Sequence, residues 1–314
     1  MQKDTVIITG GNGFVGRHLV QELKREVPKA KVVVWDRSLE RPADGVDGVK
    51  MDITKPETYR KSLKSEQPAW IVHLAAVPSA TLASQNEEYA RQVNVEGTRR
   101  LLEEVRRVSP DTRVLAISSA DVYGQGSNTP LLELPLKQAR PRNSYAQTKW
   151  EMERVVEQRF NDLVIRVRPF PHIGPGQARG YVTADFASQI AAVEAGREEP
   201  VIKVGNLEAQ RDFTDVRDVV RAYRLLMQQG EIGEVYNVAS GKAVGIQHIL
   251  DKLLELSEVD VRVEQDPKLM RPADIPVLVG DSTKLRKLTG WRPTISLDRS
   301  LKDVVGWWRE CVVL

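Results

Sequence analysis

The sequence predicts an α/β fold, a doubly wound parallel Rossmann sheet with a smaller C-terminal substrate-binding lobe. Three features carry this prediction. An apolar run, Val6 to Ile8, leads into Gly10, Gly13 and Gly16 in G-x-x-G-x-x-G spacing, and Arg17 to Leu23 continues as an amphipathic helix. A second apolar run, Lys31 to Trp35, ends in Asp36, about twenty residues beyond the turn. Strand-length apolar runs then alternate with helical patterns as far as Val167.

Each part of the first unit has a mechanical reason. Gly10 lets the chain turn sharply off the strand, Gly13 lets backbone approach a pyrophosphate, and Gly16 lets the helix pack on the strand. The helix N-terminus offers free N–H groups and a positive dipole end to phosphate. Gly10, Asn12, Gly13, Phe14, Val15 and Gly16 are therefore candidate dinucleotide-binding residues. Asp36 is placed to accept from a ribose 2′-hydroxyl and favours NAD, whereas Arg37 beside it can clamp a 2′-phosphate, so NADP stays open.

Asp44-Gly45 and Asp47-Gly48 form a turn-rich connection, and a short strand, Val49 to Met51, leads to Asp52 and Ile53. A side chain there can reach an adenine edge or cap the next helix, Thr54 to Ser65. Ala69 to Leu74 is the fourth strand; Leu74 and the small Ala75 and Ala76 let backbone pass close to a dinucleotide. Glu87 to Val108 reads as one long polar helix containing Asn94. Thr112 to Ile117 is the fifth strand and ends in Ser118-Ser119-Ala-Asp121-Val-Tyr123-Gly124. A proline-bearing loop, Pro130 to Pro141, precedes a helix from Asn143 to Phe160 with Ser144 as its cap. Leu163 to Val167 is the sixth strand.

Beyond Arg168 the rhythm loosens at Pro169, Pro171, Gly174, Pro175 and Gly176. Helices are expected over Thr183–Ala195, Val216–Gln229, Gly245–Leu256 and Leu297–Glu310, with short strands over Glu199–Val204, Val235–Val238 and Val261–Glu264. Residues 1–168 form the expected dinucleotide-binding domain and 169–314 mainly the substrate lobe, with 215–245 returning to the sheet.

Composition narrows the function classes. A hydrophobic content of 41% with 28% charged residues is that of an ordinary globular protein. Net charge is only +3 and basic residues are interspersed with acidic ones, so no nucleic-acid stripe is present. No apolar run has transmembrane length, and no signal peptide is seen. Cys311 is the single cysteine, so no intrachain disulfide forms. The expectation is a cytoplasmic protein without metal, membrane or nucleic-acid partner.

Tyr145 and Lys149 share one helix face and form the only Tyr-x-x-x-Lys in the chain. A phenol with pKa near ~10 is a poor base at neutral pH. A neighbouring ammonium and an oxidised nicotinamide both favour the phenolate, so Tyr145 can exchange a proton with an alcohol or carbonyl while hydride moves. Ser118 and Ser119 end the preceding strand at the carboxyl edge of the sheet, where ligands bind in such folds. Ser119 can hydrogen-bond the same oxygen.

The glycine pattern, Ser119 followed by Tyr123-Gly124, and Tyr145-x-x-x-Lys149 resemble the extended short-chain dehydrogenase/reductase superfamily, in its nucleotide-sugar branch, over essentially the whole chain. His172-Ile-Gly-Pro-Gly-Gln177, Gly180-Tyr-Val-Thr183, Val204-Gly-Asn-Leu207, Arg211 to Asp218, Val235 to Val238 and Arg271-Pro-Ala-Asp-Ile-Pro276 resemble the GDP-sugar group, most of all the bacterial GDP-6-deoxy-D-mannose reductases, with GDP-mannose 4,6-dehydratases close by. The resemblance implies an NAD(P)-dependent reduction of a GDP-4-keto-6-deoxy-hexose at C4. The alternative is a 4,6-dehydratase with bound coenzyme, and a remote one is a non-catalytic dinucleotide-binding protein. It further implies His172 among the coenzyme residues. Asp121, Val182, Thr183, Arg211, Arg271 and Asp274 are implied at the substrate, with the arginines on its diphosphate or ribose.

In dehydratases of the resembled family an acid at the Asp121 position takes the C5 proton; aspartate is one methylene shorter than the usual glutamate. Phe170-Pro171-His172 stands where the family has Phe-Asn-His, so proline removes an amide side chain and a backbone donor. Asp185 stands where dehydratases tend to carry a basic residue. By fold-level analogy, the Glu87–Val108 and Asn143–Phe160 helices could pair with their copies in a homodimer.

Overall fold

A computed structural model describes residues 5–39, 45–270 and 275–313. The first half runs β1 (Thr5–Thr9), α1 (Phe14–Glu26), β2 (Lys31–Asp36), β3 (Asp47–Lys50), α2 (Arg60–Glu66), β4 (Trp70–His73), α3 (Ala80–Gln85), α4 (Glu87–Arg91), α5 (Thr98–Val108), β5 (Arg113–Ile117), α6 (Ser144–Arg159) and β6 (Val164–Pro169). The second runs β7 (His172–Ile173), α7 (Val182–Glu194), β8 (Val201–Val204), β9 (Gln210–Asp212), β10 (Thr214–Asp215), α8 (Val216–Gln229), β11 (Val235–Val238), β12 (Ala243–Gly245), α9 (Ile246–Glu255), β13 (Arg262–Gln265), β14 (Val277–Leu278), α10 (Thr283–Thr289) and α11 (Leu297–Val313).

Seven strands form one sheet in the order β11-β6-β5-β4-β1-β2-β3, every neighbouring pair parallel. Its inner strands are runs of Val, Ile and Leu because both faces are covered and neither side chain of an alternating pair meets water. On one face Leu19 and Leu23 of α1 meet Val219, Tyr223 and Leu226 of α8. On the other, Leu63 of α2, Leu101 and Val105 of α5, and Met152 and Val156 of α6 cover Ile7, Ile71 and Val114. A separate core holds the lobe: Phe186 and Ile190 of α7, Ile249 and Leu253 of α9, Leu301 and Val304 of α11.

β11 lies beside β6 and α8 packs on α1, so the chain re-enters the sheet after residue 214. β12 and α9 then belong to the lobe, and a second return follows them. α10 packs on α8 and β11, and Leu285 and Trp291 sit in the core beneath them. Trp291 supplies the burial that the short α10 cannot supply alone.

Three carboxylates spaced three apart bolt the second half together. Asp212 accepts from the Ser240 and Gly241 N–H groups and from Gly280 N–H. Asp215 caps α8 through Arg217 N–H and accepts from Ser300 Oγ at 2.6 Å. Asp218 accepts from Thr294 and Ile295 N–H.

Local departures have local causes. The helix expected over Glu87–Val108 is continuous but carries a π-helical stretch, Gln92–Gly97, between α4 and α5, which turns Asn94 inward. The helix expected from Thr54 shortens to α2, because Pro56 opens only a 3₁₀ turn first. Asp47-Gly48 belongs to β3 rather than to a turn. Asn143, not Ser144, caps α6: its backbone is extended and its Oδ1 accepts from Ala146 N–H at 2.8 Å.

Candidate active site

The glycine turn forms a cradle. Gly10 has φ +69°, and a Cβ there would lie 3.0 Å from Ala75 N, so the segment after β4 does pass against the turn. A Cβ at Gly16 would lie 2.5 Å from Gly11 Cα, so the start of α1 sits directly on the turn. Gly11, absent from the trio reading, is also confined: a Cβ there would meet the Val34 side chain at 2.8 Å. α1 starts at Gly13 with no side-chain cap and no acid in its first turn, which leaves its first N–H groups and positive end to an anion. These features fit a dinucleotide pyrophosphate.

Asp36, expected at the adenosine end, lies against this turn. Asp36 Oδ2 accepts from Asn12 N–H at 3.0 Å, and the Arg37 guanidinium donates to the Tyr89 hydroxyl on α4. Asp52 accepts from Thr54 N–H and Oγ1, so its side chain caps the following turn. Burial raises its pKa, but these bonds and Lys55 outweigh that and lower it overall. Ile53 is buried against Gly97. Leu74 and Ala75 N–H donate to Thr9 O and Oγ1; Ala76 follows, half-buried.

Asn94 does not present its side chain to a ligand. Its Oδ1 accepts from Val77 N–H at 2.7 Å, and its Nδ2 donates to Thr148 Oγ1 at 2.9 Å and to Val77 O. It ties the segment after β4 to α6 from a fully buried position. Asn94→Ala would strand these groups and is expected to lower stability by about 2 kcal/mol or more in urea unfolding; an unchanged midpoint would contradict this role.

Tyr145, Ser119 and Asp121 converge at the carboxyl edge of β5. Asp121 N–H donates to Ser119 Oγ at 3.1 Å, leaving the serine hydroxyl proton to be donated elsewhere. Burial pushes the Tyr145 phenol far above its ordinary pKa; Asp121 and Tyr181 add to the rise, and a hydrogen bond with Ser119 opposes it. The phenol therefore holds its proton in the coenzyme-free protein. Lys149 is not among the groups that set this shift in the coenzyme-free protein. Lys149 Nζ donates to Ile117 O at 2.8 Å and stands 5.9 Å from the Tyr145 ring centroid. Burial lowers the Lys149 amine to about 8, and Glu153 opposes that.

Tyr181 was not singled out from sequence. It precedes α7, reaches across to donate to Pro78 O at 3.2 Å, and contributes to the electrostatics at Tyr145. An exposed aromatic between Gly180 and a helix start is the available signal.

The lobe residues are less uniformly placed. His172 hydrogen-bonds Phe170 O through Nδ1, and its ring stacks parallel to Phe14 of α1 at 6.1 Å. It thus lies against the glycine turn. Pro171 O accepts from Thr214 N–H. Thr183 is buried and donates to Gln177 Oε1 at 3.1 Å, so its hydroxyl is not presented to a substrate; Val182 is half-buried on the lobe core. Asp185 accepts from Gly180 N–H at 2.7 Å. Arg211 Nη1 donates to Gln210 O and Ile275 O. Arg271 and Asp274 lie outside the described residues. Among the described residues no acid, histidine or cysteine cluster could hold a metal, and no helix is long and apolar enough to cross a membrane.

Sheet order, glycine cradle and the Tyr145–Lys149 helix are those of a short-chain dehydrogenase/reductase, and the comparisons make it an NAD(P)-dependent nucleotide-sugar enzyme of the extended type. The GDP-mannose 4,6 dehydratase family model matches residues 7–304, and the chain belongs to this family. It is 33% identical to GDP-6-deoxy-D-mannose reductase of Pseudomonas aeruginosa over 98% of both chains. It is 30% identical to GDP-6-deoxy-D-talose 4-dehydrogenase of Aggregatibacter actinomycetemcomitans over 91% of both. The structure of RMD from Pseudomonas aeruginosa complexed with NADPH superposes with a TM-score of 0.84 at 32% identity, covering 98% of this chain and 99% of that one.

Proposed function

We propose that this protein reduces the C4 ketone of a GDP-4-keto-6-deoxy-hexose, converting GDP-4-keto-6-deoxy-D-mannose to GDP-D-rhamnose. The observation that carries the reading is the Tyr145 hydroxyl in hydrogen-bond contact with Ser119 at the sheet edge, where it can deliver a proton to a carbonyl oxygen. The similarity to the reductase over nearly all of both chains supports it. A reduced coenzyme whose pyrophosphate the glycine cradle would hold would supply the hydride. Ser119 donates to the ketone oxygen and polarises it. Tyr145 gives its proton to that oxygen. Lys149, held on Ile117 O, keeps a positive charge near the phenolate that remains.

The family match also favours a 4,6-dehydratase reading, with Asp121 as the base at C5. Incubation with GDP-4-keto-6-deoxy-mannose and NADPH separates the two: loss of reduced coenzyme supports the reductase. Conversion of GDP-mannose to a 4-keto product without net coenzyme turnover supports the dehydratase.

The reading extends to NADPH as coenzyme. The Asp36 carboxylate is turned to Asn12 N–H, while the Arg37 guanidinium, tethered by Tyr89, would be the clamp for a 2′-phosphate. Arg37→Ala is expected to weaken NADPH binding about tenfold, as loss of a charge-assisted hydrogen bond does, with little change for NADH in calorimetric titration. Equal losses for both would contradict it. Arg211, Arg271 and Asp274 remain the proposed substrate ligands. A homodimer built on the adjoining α5 and α6, and a cytoplasmic location, belong to the same proposal; a single-chain mass by light scattering would refute the dimer.

A further inference from the structure

Beneath the reacting groups lies a buried ion pair that the chemistry above does not use. Glu153 and Arg168 have side-chain exposures of 0% and 1%. Arg168 Nε and Nη2 grip the two carboxylate oxygens at 2.9 and 2.8 Å. Such a pair is costly to desolvate, and apolar side chains of similar volume commonly replace one without loss of stability. Stability alone therefore gives little reason for it.

We propose that Glu153 is a positioning residue, which pins the end of β5 through Ser118 and holds Lys149 as an ammonium against the Ile117 carbonyl. Ser118 Oγ donates to Glu153 Oε1 at 2.5 Å. Three successive residues then each fix one group. Ile117 O receives Lys149, Ser118 is tied to Glu153, and Ser119 presents its hydroxyl near Tyr145. Successive side chains on an extended strand point to opposite sides, so anchoring Ser118 on one side fixes Ser119 on the other. Arg168 carries the link outward: its Nη1 donates to Leu134 O, and its guanidinium lies 4.9 Å from the Tyr123 ring centroid. The Tyr123 hydroxyl donates to Asn237 Oδ1 of β11.

The charges around Lys149 are few. Glu153 lies one turn along its own helix, and Tyr145 one turn before it. His73 faces it from β4, but burial lowers that imidazole to about 3, so it is neutral. Arg168 of β6, and Tyr123 after β5, act on Glu153 from the other elements. Loss of Glu153 leaves Lys149 and Arg168 as two buried cations without this anion.

This inference deepens the reductase reading, and its test does not depend on it. Lys149 can be titrated by NMR in coenzyme-free protein labelled at the lysine ε-carbon, the signal being assigned with Lys149→Arg. Native Lys149 is expected to titrate near pH 8. Glu153→Gln should reduce its proton affinity at least tenfold and move the alkaline limb of the kcat–pH profile down with it. If Glu153→Gln does not fold, the double variant Glu153→Met/Arg168→Met removes both charges; it should fold and still titrate below the native position. A folded variant whose Lys149 titrates as in the native protein would overturn the proposal. If the native protein transfers no hydride, the functional reading falls while the titration still decides this one.

Discussion

Tyr145→Phe is expected to lower kcat for ketone reduction by between about a hundredfold and ten-thousandfold, the usual contribution of a positioned general acid. The variant keeps the ring that packs beside the sheet core on α6 and removes only the hydroxyl. Binding of reduced coenzyme, measured by fluorescence, should stay within about threefold of the native value. The loss would then be one of transition-state stabilisation and not of affinity. Ser119 would still polarise the ketone, so a residual rate is expected; Tyr145→Phe/Ser119→Ala should lower it further, by less than the product of the single losses, since the two act on one oxygen. A kcat within a few-fold of native in Tyr145→Phe would assign the proton to another donor.

Gly124→Ala should destabilise the protein by about 3 kcal/mol or more, a magnitude reserved for overpacking and backbone strain. Gly124 has φ +62° and ends the short turn Ala120–Tyr123 that follows Ser119. A Cβ there would sit 1.5 Å from Arg140 O and 2.9 Å from Pro141 N. Backbone on backbone cannot be relieved by a rotamer change, so the turn or the 140–141 segment must move. Either movement displaces Asp121 and Tyr123, whose hydroxyl reaches Asn237. Activity should therefore fall with stability, and urea unfolding would show the shift in midpoint. A loss below about 1 kcal/mol would mean that the segment yields easily.

Much of this architecture is legible in residue order. The Val6–Ile8 run, the glycine spacing and the Lys31–Asp36 strand dictate the first unit, because each feature acts locally. Val235–Val238 is also recognisable as a strand that returns to the main sheet. What escapes is set by contacts distant in sequence. Lys149 finds Ile117 O, 32 residues back along the chain. Asn94 is taken up by Val77 and Thr148, partners that its own helix does not reveal. The Ser144 expectation misses by one residue because Asn and Ser are both good caps, and only the extended backbone at Asn143 decides between them. Glu153 lies one turn past Lys149 and is easily passed over as a solvated helix charge, until β6 brings Arg168 against it.

The most direct test of the central claim follows the hydride itself. The enzyme would be supplied with GDP-4-keto-6-deoxy-mannose and coenzyme deuterated at the transferring position of the nicotinamide, and the sugar product examined by mass and NMR. The reductase account predicts one reduced coenzyme oxidised per sugar formed, with deuterium at C4. Coenzyme left unconsumed, together with conversion of GDP-mannose to a 4-keto sugar, would contradict it and make Asp121 the base of a dehydratase.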